Sequence, residues 1–167
     1  MTNTDTATAT TVKVFRVYIK ASPEKVWEAI TSPEWTQKYG YQSSAEYELR
    51  PGGRFVSRAN EGMLAIGLPD VVVDGEVVEV DPPHRLVQTW RFHFIPEHVE
   101  EGFTTVTWDL HEDEGMTRLT VSHDVTGAPL MSDMIEGADH VSEGGGGWAW
   151  ILSDLKTLLE TGSTLAG

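Results

Sequence analysis

The stretch Gly144 to Glu160, GGGGWAWILSDLKTLLE, constrains this chain more than any other. Projected at about 100° per residue, Trp148, Ile151, Leu152, Leu155, Leu158 and Leu159 fall in one apolar arc, with Ser153, Thr157 and Glu160 opposite. Four glycines do not support a helix interior, so the helix is predicted to begin near Gly147 and to stop at Thr161-Gly162, where glycine suits a left-handed cap. Most of the preceding chain has the pattern of strands. A long helix with one apolar face must therefore bury it on a sheet, which makes the fold class α+β.

The strands can be placed from their alternation. Val12 to Lys20 sets Phe15, Val17 and Ile19 against Arg16, Tyr18 and Lys20. Ser22-Pro23-Glu24 is a helix start, with Ser22 as N-cap and Pro23 at the first position; the helix carries Val26, Trp27 and Ile30 inward. Ser32-Pro33 restarts the chain, and a second short helix is predicted through Trp35 to about Tyr39. Residues 45–50 and 54–58 form a hairpin about Pro51-Gly52-Gly53. Residues 59–70 are a short strand or a loop on the rim, 71–80 a valine-rich strand in which Asp74-Gly75 marks a bulge, and 85–94 a further strand. Met131, Met134 and Ile135 suggest a loose helical turn or two in 126–143.

One hairpin fixes its own register. Centring the turn between residues 104–111 and 116–124 on Glu114-Gly115 sets Leu110 opposite Leu119, Trp108 opposite Val121 and Val106 opposite His123. All six share one face, so His123 is expected to point inward.

Composition removes several function classes. The 12 Lys and Arg residues face 26 Asp and Glu, and a net charge of −14 disfavours nucleic acid and anionic membrane surfaces as partners. With no cysteine, thiolate catalysis and zinc–sulfur sites are excluded. Residues 1–11, MTNTDTATATT, carry neither a basic nor an apolar leader segment, and the expected location is cytoplasmic. Residues 1–11 are expected as a tail, 12–161 as one domain and 162–167 as a C-terminal tail.

The runs ASPEKVWEAITSPEW, RPGGRF, PPHRLVQTWRF, TRLTVSHD and GWAWILSDLKTLLE, in that order, resemble the AHSA-like branch of the START/birch-pollen-allergen (SRPBCC) superfamily over roughly residues 12–160. The resemblance implies a helix-grip fold: a seven-stranded antiparallel sheet around the C-terminal helix, two short helices between strands one and two, and an apolar cavity between sheet and helix. Members bind lipids, sterols, polyketides or other hydrophobic molecules, some are cyclases or aromatases, and the branch is named for a co-chaperone domain that stimulates a heat-shock ATPase. The four-glycine run and the long segment 93–103 depart from the usual pattern.

The leading functional expectation is therefore binding of a hydrophobic, polyketide-like or aromatic small molecule, without a cofactor. Its lining is expected to include Tyr47, Phe55, Gln88, Trp90, Trp108, His123, Trp148, Ile151 and Leu152. His123 is the candidate for proton transfer in a cyclase- or hydrolase-like alternative, with Tyr47 or Gln88 orienting; a hydrogen-bonded core histidine is the plainer reading of the same residue. The tryptophans could equally be core filling, and Trp150, off the arc, is expected on the outer face, under a loop or in a dimer contact. A third reading is a co-chaperone-like interaction, so a second copy of the chain or a chaperone are the protein partners to consider. His93, Glu97 and His98, or Asp139, His140 and Glu143, lack metal-ligand spacing, and no metal is expected. The acidic residues Glu97, Glu100, Glu101 and Glu112 to Glu114 are expected in solvated loops.

Overall fold

In the computed structural model, residues 9–166 are described. Most of the expected N-terminal tail lies outside them. The elements are β1 (Val12–Ile19), α1 (Pro23–Thr31), α2 (Pro33–Thr36), β2 (Ser44–Tyr47), β3 (Arg54–Arg58), α3 (Glu61–Ala65), β4 (Val71–Asp81), β5 (Arg85–Phe92), α4 (Pro96–Glu101), β6 (Thr104–Asp113), β7 (Met116–Asp124), α5 (Pro129–Ile135), a 3-10 turn (Val141–Glu143) and α6 (Gly147–Thr161). Seven antiparallel strands form one sheet in the order β1-β7-β6-β5-β4-β3-β2. This is the expected helix-grip arrangement.

Local chemistry accounts for the joints. The Ser22 side chain accepts from the Lys25 amide at 3.2 Å to start α1. Gly162, at φ 82°, ends α6 by donating to the Leu158 carbonyl. In the β6–β7 hairpin, Leu110 lies opposite Leu119, Trp108 opposite Val121 and Val106 opposite His123, the register that the alternation requires. All six side chains are buried.

Helix α6 lies over the β1 end of the sheet. There it also shields an edge strand: Lys156 Nζ donates to the Tyr18 carbonyl and the Lys20 amide donates to Glu160, both at 2.7 Å. Trp148, Leu152, Leu155 and Leu158 are buried beneath the helix. The other edge is short, and the Thr36 hydroxyl of α2 accepts from the Ala45 amide.

Several segments differ from expectation. Residues 61–65 are helical, started by the Asn60 side chain, which accepts from the Met63 amide. Segment 93–103 contains α4, whose Glu101 carboxylate accepts from the Leu130 and Met131 amides at 2.9 Å and so caps α5. Glu101 is thus structural rather than simply solvated. Strand β2 stops at Tyr47 instead of running to Arg50. Register breaks in β4 fall between Val77 and Glu79 against β5 and between Val71 and Val73 against β3; Gly75, opposite Phe55, is instead where the chain passes too close to the Thr89 backbone for any Cβ.

The glycine run is a seam. A Cβ on Gly147, which has φ +61°, would collide with the Ile135 carbonyl, and one on Gly145 with Asp139. The Gly146 amide donates to the Tyr41 hydroxyl at 2.7 Å. Side chains are missing here because the chain after α5 passes directly against the start of α6.

Candidate functional site: an aromatic wall beneath the C-terminal helix

Alternation along β5 turns Leu86, Gln88, Trp90 and Phe92 toward the helix side, and the neighbouring strands add Tyr47, Phe55, Trp108 and His123. The rings form a continuous series. Tyr47 stacks on Phe55 with centroids 4.6 Å apart, Phe55 on Trp90 at 5.3 Å, Trp90 meets Trp148 of α6 at 5.3 Å, and Trp148 meets Trp108 edge-on at 5.2 Å. Phe92 and Phe94 extend it toward the His98 ring of α4. Such offset and edge-to-face pairs add to the burial of their area.

The structure therefore brings together Tyr47, Phe55, Gln88, Trp90, Trp108, His123 and Trp148 from the sequence-derived set. Leu152 is buried in the same core. Ile151 is half-buried and packs against the rim of that core, with its side chain beside Gly40 in the α2–β2 connection. Trp150, expected on the outer face under a loop or in a dimer contact, is half-buried, with its Nε1 enclosed and unpartnered.

His123 is fully buried and both ring nitrogens are engaged. Trp148 Nε1 can only donate, so Nδ1, 3.1 Å away, is the acceptor and the proton is on Nε2. That proton is donated to Thr104 Oγ1 at 2.7 Å, and the Thr104 hydroxyl donates in turn to the Trp90 carbonyl at 3.0 Å. Burial pushes the imidazole down to about 3, against a small upward pull from Asp124. A neutral imidazole held at both nitrogens has neither a lone pair nor a proton to offer a substrate. The proton-transfer role considered for His123 is not supported by this geometry.

Gln88 is fully buried as well. Its Oε1 accepts from Trp108 Nε1 at 2.8 Å and from the Tyr47 hydroxyl at 2.9 Å. Tyr47 is raised above its ordinary value by burial and stays a phenol. Gln88 Nε2 and Trp90 Nε1 have no partner.

The wall is sealed at one end only. Trp108, His123 and Trp148 are buried, whereas Tyr47, Trp90, Phe92 and Phe94 are half-buried. Of two hollows, one of about 400 Å³ lies beside α5 and Gly144–Gly145, and one of about 230 Å³ lies at the β2–β3 edge along Glu46, Tyr47, Arg54 and Arg58. Beneath α6 the rings themselves occupy the face.

Among the described residues no grouping of His, Asp and Glu could hold a metal ion. His93 Nε2 is paired with Asp74 at 2.7 Å, while the His98 ring lies against Phe92 and Phe94. No helix among the described residues is long and apolar enough to cross a membrane. Alternation and the helical wheel did not bring out buried Asp154, whose carboxylate accepts from the Gly40 amide at 2.8 Å and the Leu165 amide at 2.7 Å. An acidic residue between Ile151-Leu152 and Leu155 was the only hint.

Residues 20–160 match the family described as Activator of Hsp90 ATPase homolog 1-like protein, and the chain belongs to that family. Solved structures with the same fold include the Aha1 dimer of Colwellia psychrerythraea, 22% identical with a TM-score of 0.60, over 91% of this chain and 98% of that one. CalU16 of Micromonospora echinospora is 21% identical with a TM-score of 0.54, over 72% of this chain and 64% of CalU16. DynU16, from the dynemicin biosynthetic locus, is 25% identical with a TM-score of 0.61, over 92% of this chain and 48% of DynU16. The chain thus spans less than two thirds of the latter two. No curated protein matches it.

Proposed function

We propose that this protein binds an apolar, aromatic small molecule against the wall between the sheet and α6. The observation that carries the reading is the uninterrupted ring series from Tyr47 to Trp108, half-exposed at its Tyr47–Trp90–Phe92 end. Flat apolar faces with few polar groups are what such a ligand requires. Family membership and the resemblance to proteins of CalU16 and DynU16 type support it. Because the rings fill the face, uptake requires the rim segment 59–70, which packs Met63 and Leu68 on this end, to part from it.

A panel of polyketides, flavonoids and fatty acids tests the reading. A true ligand is expected to quench tryptophan fluorescence and to stabilise the fold by about 2.7 kcal/mol at a hundredfold excess over Kd. Absence of both effects across the panel would remove the proposal.

A protein partner is the second reading, favoured by the family and by its likeness to the Aha1 dimer. It predicts stimulation of a purified Hsp90 ATPase, and sedimentation of the chain as a dimer would support self-association. A monomer that leaves the ATPase unchanged would dispose of it.

A further inference from the structure

Gln88 and Trp90 are two residues apart on one face of β5, about 7 Å along the strand. The carboxamide cannot be turned round. Trp108 Nε1 only donates, so the oxygen of Gln88 must face it, and the same oxygen takes the Tyr47 hydroxyl. Both hydrogens on Nε2 are then left over, inside a side chain with no solvent exposure. Trp90 Nε1 is enclosed and unpartnered too, on a ring held between Phe55 and Trp148. Buried donors in native proteins nearly always find an acceptor, so two orphans on one face of one strand, within one aromatic wall, need explaining.

What is missing is an acceptor, and its charge can be argued. No lysine or arginine belongs to the ring series, and the protein carries a net charge of −14, so a carboxylate or phosphate would enter without a counter-ion. A neutral oxygen fits. We infer that Gln88 Nε2 and Trp90 Nε1 are the polar recognition element of this wall, and that its guest is a flat aromatic ketone whose carbonyl oxygen takes their hydrogens. This rests on the apolar-ligand reading above and narrows it to one chemical class.

A matched pair of probes separates the two. 9-Fluorenone and fluorene share a tricyclic outline and differ in a carbonyl against a methylene. By equilibrium dialysis the protein is expected to bind fluorenone about tenfold more tightly, the value of one well-made hydrogen bond. Trp90→Phe, which keeps an aromatic face on the wall but removes the N–H, should weaken fluorenone binding more than fluorene binding and so shrink that preference. Gln88→Met should do the same; if it does not fold, Trp90→Phe suffices. Equal binding of both probes, or a preference that survives in Trp90→Phe, would overturn the inference and leave the apolar-ligand reading intact. Failure of both probes to bind, with a member of the panel above still bound, would also overturn the inference alone, whereas failure of the whole panel would remove the apolar-ligand reading.

Discussion

The two ends of the sheet share the alternation of inward and outward residues but treat their buried polar groups in opposite ways. Under α6, on β6 and β7, His123, Thr104 and Trp148 satisfy one another in a closed chain of donors and acceptors. Farther out, from β5 to β2, Gln88 Nε2 and Trp90 Nε1 have nothing to bind, and the His98 ring, against Phe92 and Phe94, has an unpartnered Nδ1. The first end is a finished core. The second is apolar in lining yet incomplete in hydrogen bonding.

The largest test of the finished end is pH. In the unfolded chain His123 takes up its proton near pH 6.5, and in the folded protein only at about 3. The unfolded state therefore binds more protons between these values. The contribution of His123 to stability is fully present above pH 6.5, shrinks as pH falls, and levels off near 3. Urea unfolding is expected to lose about 1.4 kcal/mol per pH unit across that window from this group. His123→Gln should flatten the slope. An unchanged acid slope in the variant would mean that burial does not hold the imidazole neutral.

Next in size is the seam that brings α5 to the start of α6. Gly147→Ala combines a left-handed backbone with a collision at the Ile135 carbonyl, and is expected to cost about 2 kcal/mol or more. A Tm equal to that of the parent would show that the seam is loose.

The sharpest test makes the same substitution at both ends. Trp148→Phe takes away the donor of His123 Nδ1 and leaves a buried acceptor alone, a loss of about 1–3 kcal/mol. Trp90→Phe removes a donor that had no partner and is expected to stay within about 1 kcal/mol of the parent. Equal losses in denaturant midpoint would erase the distinction between the two ends.

Much of the fold was legible because its causes are local. Period-2 alternation placed β1, β6 and β7, the Pro51-Gly52-Gly53 turn placed β3, the Ser22-Pro23 and Thr161-Gly162 signals bounded α1 and α6, and a single glycine turn set the β6–β7 register. Where a segment is very short or gets its hydrogen bonds from afar, the reading fell short. Helix α3, a single turn capped by Asn60, passed for a strand or loop. Glu101 passed for a solvated residue because its partners are some 30 positions away. The glycines offered no hint of a seam, since a close approach is a property of two segments and not of one.

The candidate site divides in the same way. That Gln88, Trp90, Trp108 and His123 face inward follows from alternation, because successive side chains on a strand must point to opposite faces. Which of their polar atoms are satisfied depends on what the other strands and α6 set within about 3 Å of each, and that is decided only when the sheet curls and the helix settles. The sequence by itself determined a helix-grip fold with a polar-dotted aromatic face. The tertiary structure alone made His123 an inert member of the core and left Gln88 and Trp90 with hydrogens to donate, because a hydrogen bond needs both partners in place and the chain supplies them from residues far apart along its length.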